Sequence, residues 1–361
     1  MGGKKGFKRV LLWIFVVFVL LFFASKIYHS LPGKENKKGI VVPPVSTLQK
    51  IEEKHVMTDF YYWYDLPSGV HSTSLTDYPK DKNTSFRNVA WFKKQFSDMN
   101  EAGVDIALLV YWSRFEDAHI DGLKNMVNAR KELLNGNQKA PKIGLFLDTG
   151  VFGRVDKKGR NLLADYGKEN FYSYIREFFQ NVPMEDVAKI NNKPVIALWG
   201  NYFNVLFDQS SFDYIYENYE KDFGVKPYII RDVSWNYPLL KSFFGRGKPD
   251  FLNPIKTDDV YSWGAALNGY QDPGGNVVSV GPGYDERELE ASDRSGRYVL
   301  RKDGNWYTDN FQKALNTNKP IVMIETWNEF HEASDIAESE EYGRQYILLT
   351  KKMTDKFWKM K

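Results

Sequence analysis

From residue 55 to its end the chain alternates between short apolar runs and longer segments with apolar residues at helical spacing. Such alternation marks parallel strands joined by crossover helices. The strand-like runs are 55–65, 104–112, 142–148, 193–199, 226–233, 259–263, 277–280 and 321–327. Helices are expected over 86–102, 117–134, 171–179, 212–223, 308–315 and 341–357. In the first of these, Val89, Phe92, Phe96 and Met99 form one apolar stripe, and Gly103 ends it. Eight such units in about 300 residues predict an α/β chain closed as a (β/α)8 TIM barrel. The rival is an open doubly wound sheet. No Gly-rich phosphate loop follows any run, so the nucleotide motifs of such sheets are missing.

The last run changes character abruptly. Ile321-Val-Met-Ile324 is apolar and β-branched, as a buried parallel strand requires, and then Trp327, Asn328, Glu329, His331 and Glu332 crowd together. A barrel carries its chemistry at the carboxyl ends of its strands. If the chain turns helically after Asn328, Glu329 and Glu332 share a face. A pair of carboxylates, one protonated and one ionised, is the usual equipment for cleaving a glycosidic bond. The other strand ends are also aromatic and polar. Tyr62, Trp112, Asp148, Asp232, Tyr284 and Arg287 are the candidates for substrate contact. Rings beside carboxylates suit a sugar, which offers apolar C–H faces and hydroxyl edges.

Other readings of these residues fare less well. Glu325, inside the last run, is expected to pair with a basic group such as Arg231 or Arg287. His331 and Asp335 suggest a metal, but no second His lies near and the spacing fits no familiar ligand set, so no metal or cofactor is expected. No Gly-x-Ser-x-Gly elbow supports an esterase. The chain has no Cys, which excludes disulfides, thiolate metal sites and a Cys nucleophile. Its net charge is only +3, with much of the Lys excess near the N-terminus, so nucleic acid is not an expected partner.

Lys4, Lys5, Lys8 and Arg9 precede an unbroken apolar run of 15 residues, 10–24. That length lies between a signal-peptide core and the ~20 residues of a full membrane span. Lys26 sits where a cleavage site needs a small residue. An uncleaved signal anchor over 1–29 is therefore expected, with a Pro- and Gly-containing tether over 30–53 and the barrel, 54–361, outside the cytoplasm. Signal cleavage and secretion is the alternative.

Thr326-Trp-Asn-Glu-Phe-His-Glu332 resembles the Asn-Glu-Trp-His-Glu signature of glycoside hydrolase family 99, the endo-α-mannosidases. Phe60-Tyr-Tyr-Trp-Tyr64 is similar to the first strand of that family, without its usual Pro, and 102–112 is similar to the second. Gly281-Pro-Gly-Tyr-Asp-Glu-Arg287 is similar to the seventh-strand loop of bacterial relatives. Phe330 stands where the family has Trp. The resemblance implies a (β/α)8 barrel that cleaves an internal α-mannosidic linkage with retention, the sugar's own 2-hydroxyl attacking the anomeric carbon. It implies Glu329 as the base for that hydroxyl, Glu332 as the acid/base at the leaving oxygen, and Asn328 as a group that holds the sugar. Two other classes stay in view. One is a glycan-binding barrel without catalysis, which has no need of the glutamate pair. The other is a glycosyltransferase of surface-polysaccharide assembly, for which the nearest diphosphate motif is the weak Asp258-Asp259.

Overall fold

The computed structural model describes residues 48–112, 119–154, 157–241, 247–289 and 296–360. The expected signal anchor and most of the tether lie outside these residues. Among the described residues, no helix is long and apolar enough to cross a membrane.

Eight parallel strands form the centre: β1 (His55–Phe60), β2 (Ile106–Tyr111), β3 (Lys142–Leu147), β4 (Lys193–Leu198), β5 (Tyr228–Asp232), β6 (Asp259–Tyr261), β7 (Val277–Val280) and β8 (Ile321–Ile324). Around them lie α1 (Val89–Ala102), α2 (His119–Asn135), α3 (Asp165–Asn181), α4 (Gln209–Phe223), α5 (Asn305–Leu315) and α6 (Gln345–Lys359). The ladder runs β7-β8-β1-β2-β3-β4-β5-β6, the order of a barrel. The start of the second predicted helix, 117–118, lies outside the described residues. The others lie where the sequence places them, most with longer ends.

Strand alternation sorts the side chains. Phe60 points outward, its ring 5.6 Å from Trp91 and 6.0 Å from Phe92 of α1. Tyr111 does the same against Phe178 of α3. Phe146 points inward and meets Tyr261 across the interior at 6.4 Å. Asp59, the neighbour of Phe60, must therefore face the interior. It is fully buried there. Each large apolar side chain withdrawn this way stabilises the fold by roughly 1.5–3 kcal/mol.

The helices carry local signals that match their positions. The Asn88 side chain accepts from Ala90 N and caps α1, while Gly103 ends it at φ 77°. A Cβ on Gly103 would also lie 2.4 Å from Thr354 Oγ1, so α1 and α6 approach closely only over glycine. Asp208 and Ser211 form a reciprocal capping box on α4.

Seven of the eight strands are shorter than expected, β7 alone keeping its bounds, and two are shortened most at the rim. β1 ends at Phe60 rather than 65, and β8 at Ile324 rather than 327, because the segments beyond them are bound to each other instead of to the sheet. The ring also has one irregular joint. Among the described residues no ladder joins β6 to β7. The Asp259 carboxylate bridges them instead, taking Asn276 N at 2.9 Å and Asn276 Nδ2 at 3.0 Å. Two antiparallel excursions, Leu239–Lys241 with Gly247–Pro249 and Tyr284–Asp285 with Tyr298–Val299, were not evident in the sequence.

Candidate active site

Beyond β8 the chain crosses the rim of the barrel. Residues 330–333 form a turn, with Ala333 at φ 43°. Ser334 N donates to Glu329 O at 3.2 Å, so Glu329 precedes the turn and Glu332 lies within it. Three other segments hold it. Thr76 N and Asp77 N both donate to Phe330 O, and Thr76 Oγ1 donates to His331 O at 2.8 Å. Asp285 N donates to Glu332 O at 2.8 Å. Trp327 Nε1 donates to Gln95 Oε1 of α1 at 2.8 Å. Polar groups rich in donors and acceptors are here spent on backbone, which fixes the turn without regular secondary structure.

Glu329 is 6% exposed. Its Oε1 accepts from His331 N at 3.2 Å and lies 2.9 Å from His331 Nδ1. Among the described residues, no hydrogen bond is made to Oε2. Glu332 is half-buried, and its charge helps to hold the Arg297 guanidinium protonated after the Glu286 contacts. Asn328 binds the backbone of Tyr61. Its Oδ1 accepts from Tyr61 N at 2.8 Å and its Nδ2 donates to Tyr61 O at 2.7 Å. The amide thus aligns the rim of β1 with the glutamate turn.

The remaining predicted residues divide. Trp112 Nε1 donates to Asp148 Oδ2 at 2.6 Å, and Gly150 N donates to Asp148 Oδ1, so ring and carboxylate form one fixed unit at the mouth. Asp232 is buried and accepts from Ser234 N and Trp263 N, both at 2.8 Å; burial raises its carboxyl, and these bonds offset part of that rise. It braces the rim rather than opening into it. Tyr284 Oη donates to Glu286 Oε2 at 2.7 Å on the 284–299 hairpin. Arg287 is exposed, bound to Asp285 and laid over the Tyr298 ring, on the outer side of that hairpin. Tyr62 is fully buried and stacks 6.3 Å from Tyr111 on the helix side of the sheet.

Tyr61 is the ring that faces the mouth. Burial first, then the charges of Glu329, Asp59, Glu332 and Asp148, push its phenol well above the ordinary range, so it remains a donor among carboxylates. Strand parity carried this signal: Phe60 and Tyr62 face one way, Asp59 and Tyr61 the other. Trp63, Trp199, Tyr202 and Trp263 complete the aromatic rim, with Trp199 4.9 Å from Tyr202 and 6.3 Å from Trp263.

The expectation for Glu325 is corrected. Among the described residues it meets no arginine: Gly264 N donates to both of its oxygens and Ala266 N to Oε2. Arg231 turns instead to Thr257 Oγ1. The approach is tight, since a Cβ on Gly281 would lie 2.6 Å from Glu325 O. Burial pushes Glu325 up to about 8, against backbone bonds from Gly264, Ala266 and Ala265. Asp59 lies beside it, also raised by burial and then by Glu325, and neither of its oxygens has a hydrogen bond. Among the described residues, no three His, Asp or Glu side chains converge so as to hold a metal ion.

A barrel with an acidic, aromatic mouth at its carboxyl end has the architecture of glycoside-hydrolase-like proteins. The chain belongs to the family described as a domain of unknown function, DUF5010, which matches residues 45–360. No curated protein matches it. Its fold is similar to that of the GH99 endo-alpha-mannosidase from Bacteroides thetaiotaomicron in complex with bis-tris-propane. The TM-score is 0.62 at 16% identity, over 86% of this chain and 99% of that one. A second structure of that enzyme gives 0.59 at 15%, over 86% and 99%. A glycoside hydrolase-like protein gives 0.59 at 13% identity, over 85% of this chain and 95% of that one. These likenesses establish a GH99-like barrel as the fold.

Proposed function

We infer that the protein is a glycoside hydrolase that cleaves a glycosidic bond with retention, using Glu329 and Glu332. One observation carries this reading. Glu329 and Glu332 lie on one turn clamped at the barrel mouth, and among the described residues Glu329 Oε2 has no hydrogen bond. In the proposed reaction Glu329 Oε2 takes the proton of the sugar's 2-hydroxyl, and that oxygen attacks the anomeric carbon. The bond to the leaving oxygen breaks as Glu332 protonates it. Glu332 then takes a proton from water, which opens the 1,2-anhydro ring, and Glu329 returns its proton to the 2-oxygen. Each proton taken is given back, so the enzyme ends as it began.

An α-mannoside, cut internally, is the substrate proposed, in keeping with the endo-alpha-mannosidase of like fold. The aromatic rim offers stacking faces for the pyranose rings. The catalytic domain is proposed to work outside the cytoplasm behind its apolar N-terminal run. Resistance of the domain to protease added to intact cells would argue against that placement.

The test is release of new reducing ends from α-mannans, α-glucans and other bacterial polysaccharides by the full chain and by Glu332→Gln. Release by the wild type that the variant loses supports hydrolysis and names the substrate class. Binding without release from either protein would favour a glycan-binding barrel. Release unchanged in the variant would mean that another carboxylate acts.

A further inference from the structure

His331 sits between the two glutamates, and the reaction just described gives it no part. Its surroundings are nevertheless specific. The imidazole lies flat on Tyr64, with centroids 5.6 Å apart and planes 20° apart. Tyr64 is fully buried, and its oxygen accepts from Phe330 N at 3.3 Å. The same oxygen lies 3.2 Å from His331 Nδ1. On the other side Nδ1 meets Glu329 Oε1 at 2.9 Å. The edge of the His71 ring approaches from a third direction, with centroids 6.4 Å apart. The ring therefore has one orientation, set by packing, with Nδ1 aimed at the catalytic carboxylate.

We propose that His331 is a positioning residue for Glu329, its Nδ1–H holding Oε1 so that Oε2 alone meets the substrate. The inference rests on the reading of Glu329 as the base. The bond holds one oxygen of the carboxylate and leaves the other toward the substrate. The bond also removes rotation about the terminal carboxyl torsion, a broad, nearly two-fold rotor when unrestrained. When Glu329 acquires the 2-hydroxyl proton on Oε2, the hydrogen bond at Oε1 is kept, and no group has to move. The other titratable groups facing this pair are Tyr61, Tyr64 and His71 from the segment after β1, and Glu332 and Asp335 from the segment after β8. Arg297 lies beyond Glu332. Burial, followed by the Glu329 charge, keeps the Tyr64 phenol protonated, so it does not compete as a second base.

Two measurements test this, and only one needs turnover. The first is the His331 C2–H titration by NMR in the full chain and in Glu329→Gln. The sequence has only 5 His, and His331→Asn assigns the signal. The expected result is a midpoint lower in Glu329→Gln by about one unit, as loss of a facing carboxylate requires. An unchanged midpoint would overturn the inference even if the enzyme is active. The second is the pH profile on the α-mannan that the wild type cleaves, for His331→Ala and His331→Asn. His331→Ala should lower kcat about tenfold with KM nearly unchanged, and move the acidic limb upward. Asn, whose amide can replace the donor, should recover most of both. A loss in Ala and Asn alike with an unmoved limb would reduce His331 to packing. Absence of cleavage by the wild type would sink the proposed function, while the titration would still decide the Glu329–His331 pairing.

Discussion

Asn328 and Tyr61 are joined by two hydrogen bonds, side-chain amide to backbone, that copy the pairing of neighbouring strands beyond the point where β1 and β8 have ended. Both partners are buried, so removing the amide leaves a backbone N–H and C=O without partners. Asn328→Ala should cost about 2–4 kcal/mol of stability, from two groups at about 1–2 kcal/mol each. Urea unfolding measures it. Activity should fall further than stability explains, because the glutamate turn loses its register with the rim.

The neighbouring tyrosines should separate cleanly. Tyr61→Phe removes a donor from among four carboxylates and should lower kcat/KM about fivefold to tenfold on a cleaved glycan. Tyr62→Phe, buried behind the sheet against Tyr111, should stay within about twofold. Equal effects would mean that the rim is not lined as described.

Arg301 lies between the rings of Tyr342 and Tyr346, at 4.4 and 4.6 Å, and donates to Asp77, Asp335 and the Asp335 carbonyl. It ties the loop after β1 to the chain following the glutamate turn. Arg301→Met strips the charge that offsets two buried carboxyls and should destabilise by about 3–5 kcal/mol. Combining it with Asp77→Asn and Asp335→Asn should recover part of that loss, read by thermal or urea unfolding.

Stability should also fall toward alkaline pH. Burial raises Glu325 to about 8; burial and then the Asp335 charge raise Asp77 to about 8 against Arg301; and Asp59 is raised in the same direction. For each, the native state holds the proton more tightly than the unfolded chain. The stabilisation is therefore complete below the unfolded carboxyl value of about 4, and for Glu325 and Asp77 it is lost as pH rises through about 8. Asp59→Asn should flatten this decline between about pH 5 and 8 and be more stable than wild type at the upper end. A steeper decline in the variant would contradict the assignment.

Much of this was legible in the chain because both sheet faces are buried, so strands read as apolar runs and their ends as sudden polarity. β3, β4 and β7 needed nothing more. What escaped were contacts with no period. The Asn328–Tyr61 bridge and the Glu329–His331 pair are made across a turn by residues at irregular offsets, where neither the helical nor the strand repeat applies. Glu325 misled for a related reason. A buried carboxyl suggests an ionic partner, yet three backbone amides at the start of a short helix, together with a retained proton, satisfied it instead. Asp59 hid the facing of Tyr61 and Tyr62, since an acid inside a barrel inverts the usual apolar-in pattern.

The joint between β6 and β7 bears on solubility. A sheet rolled into a ring but not fastened by a ladder still has two borders, and exposed borders recruit strands from other chains. Here the borders are three and four residues long, and the Asp259 carboxylate occupies the amide of Asn276 that an incoming strand would seek. Asn276 Nδ2 reaches past it to Gln49 O, drawing the chain ahead of β1 toward the same place. The carboxylate that completes the ring thus also occupies the amide at its border, and Asp259→Ala should lower stability and raise aggregation together, read by thermal unfolding and light scattering.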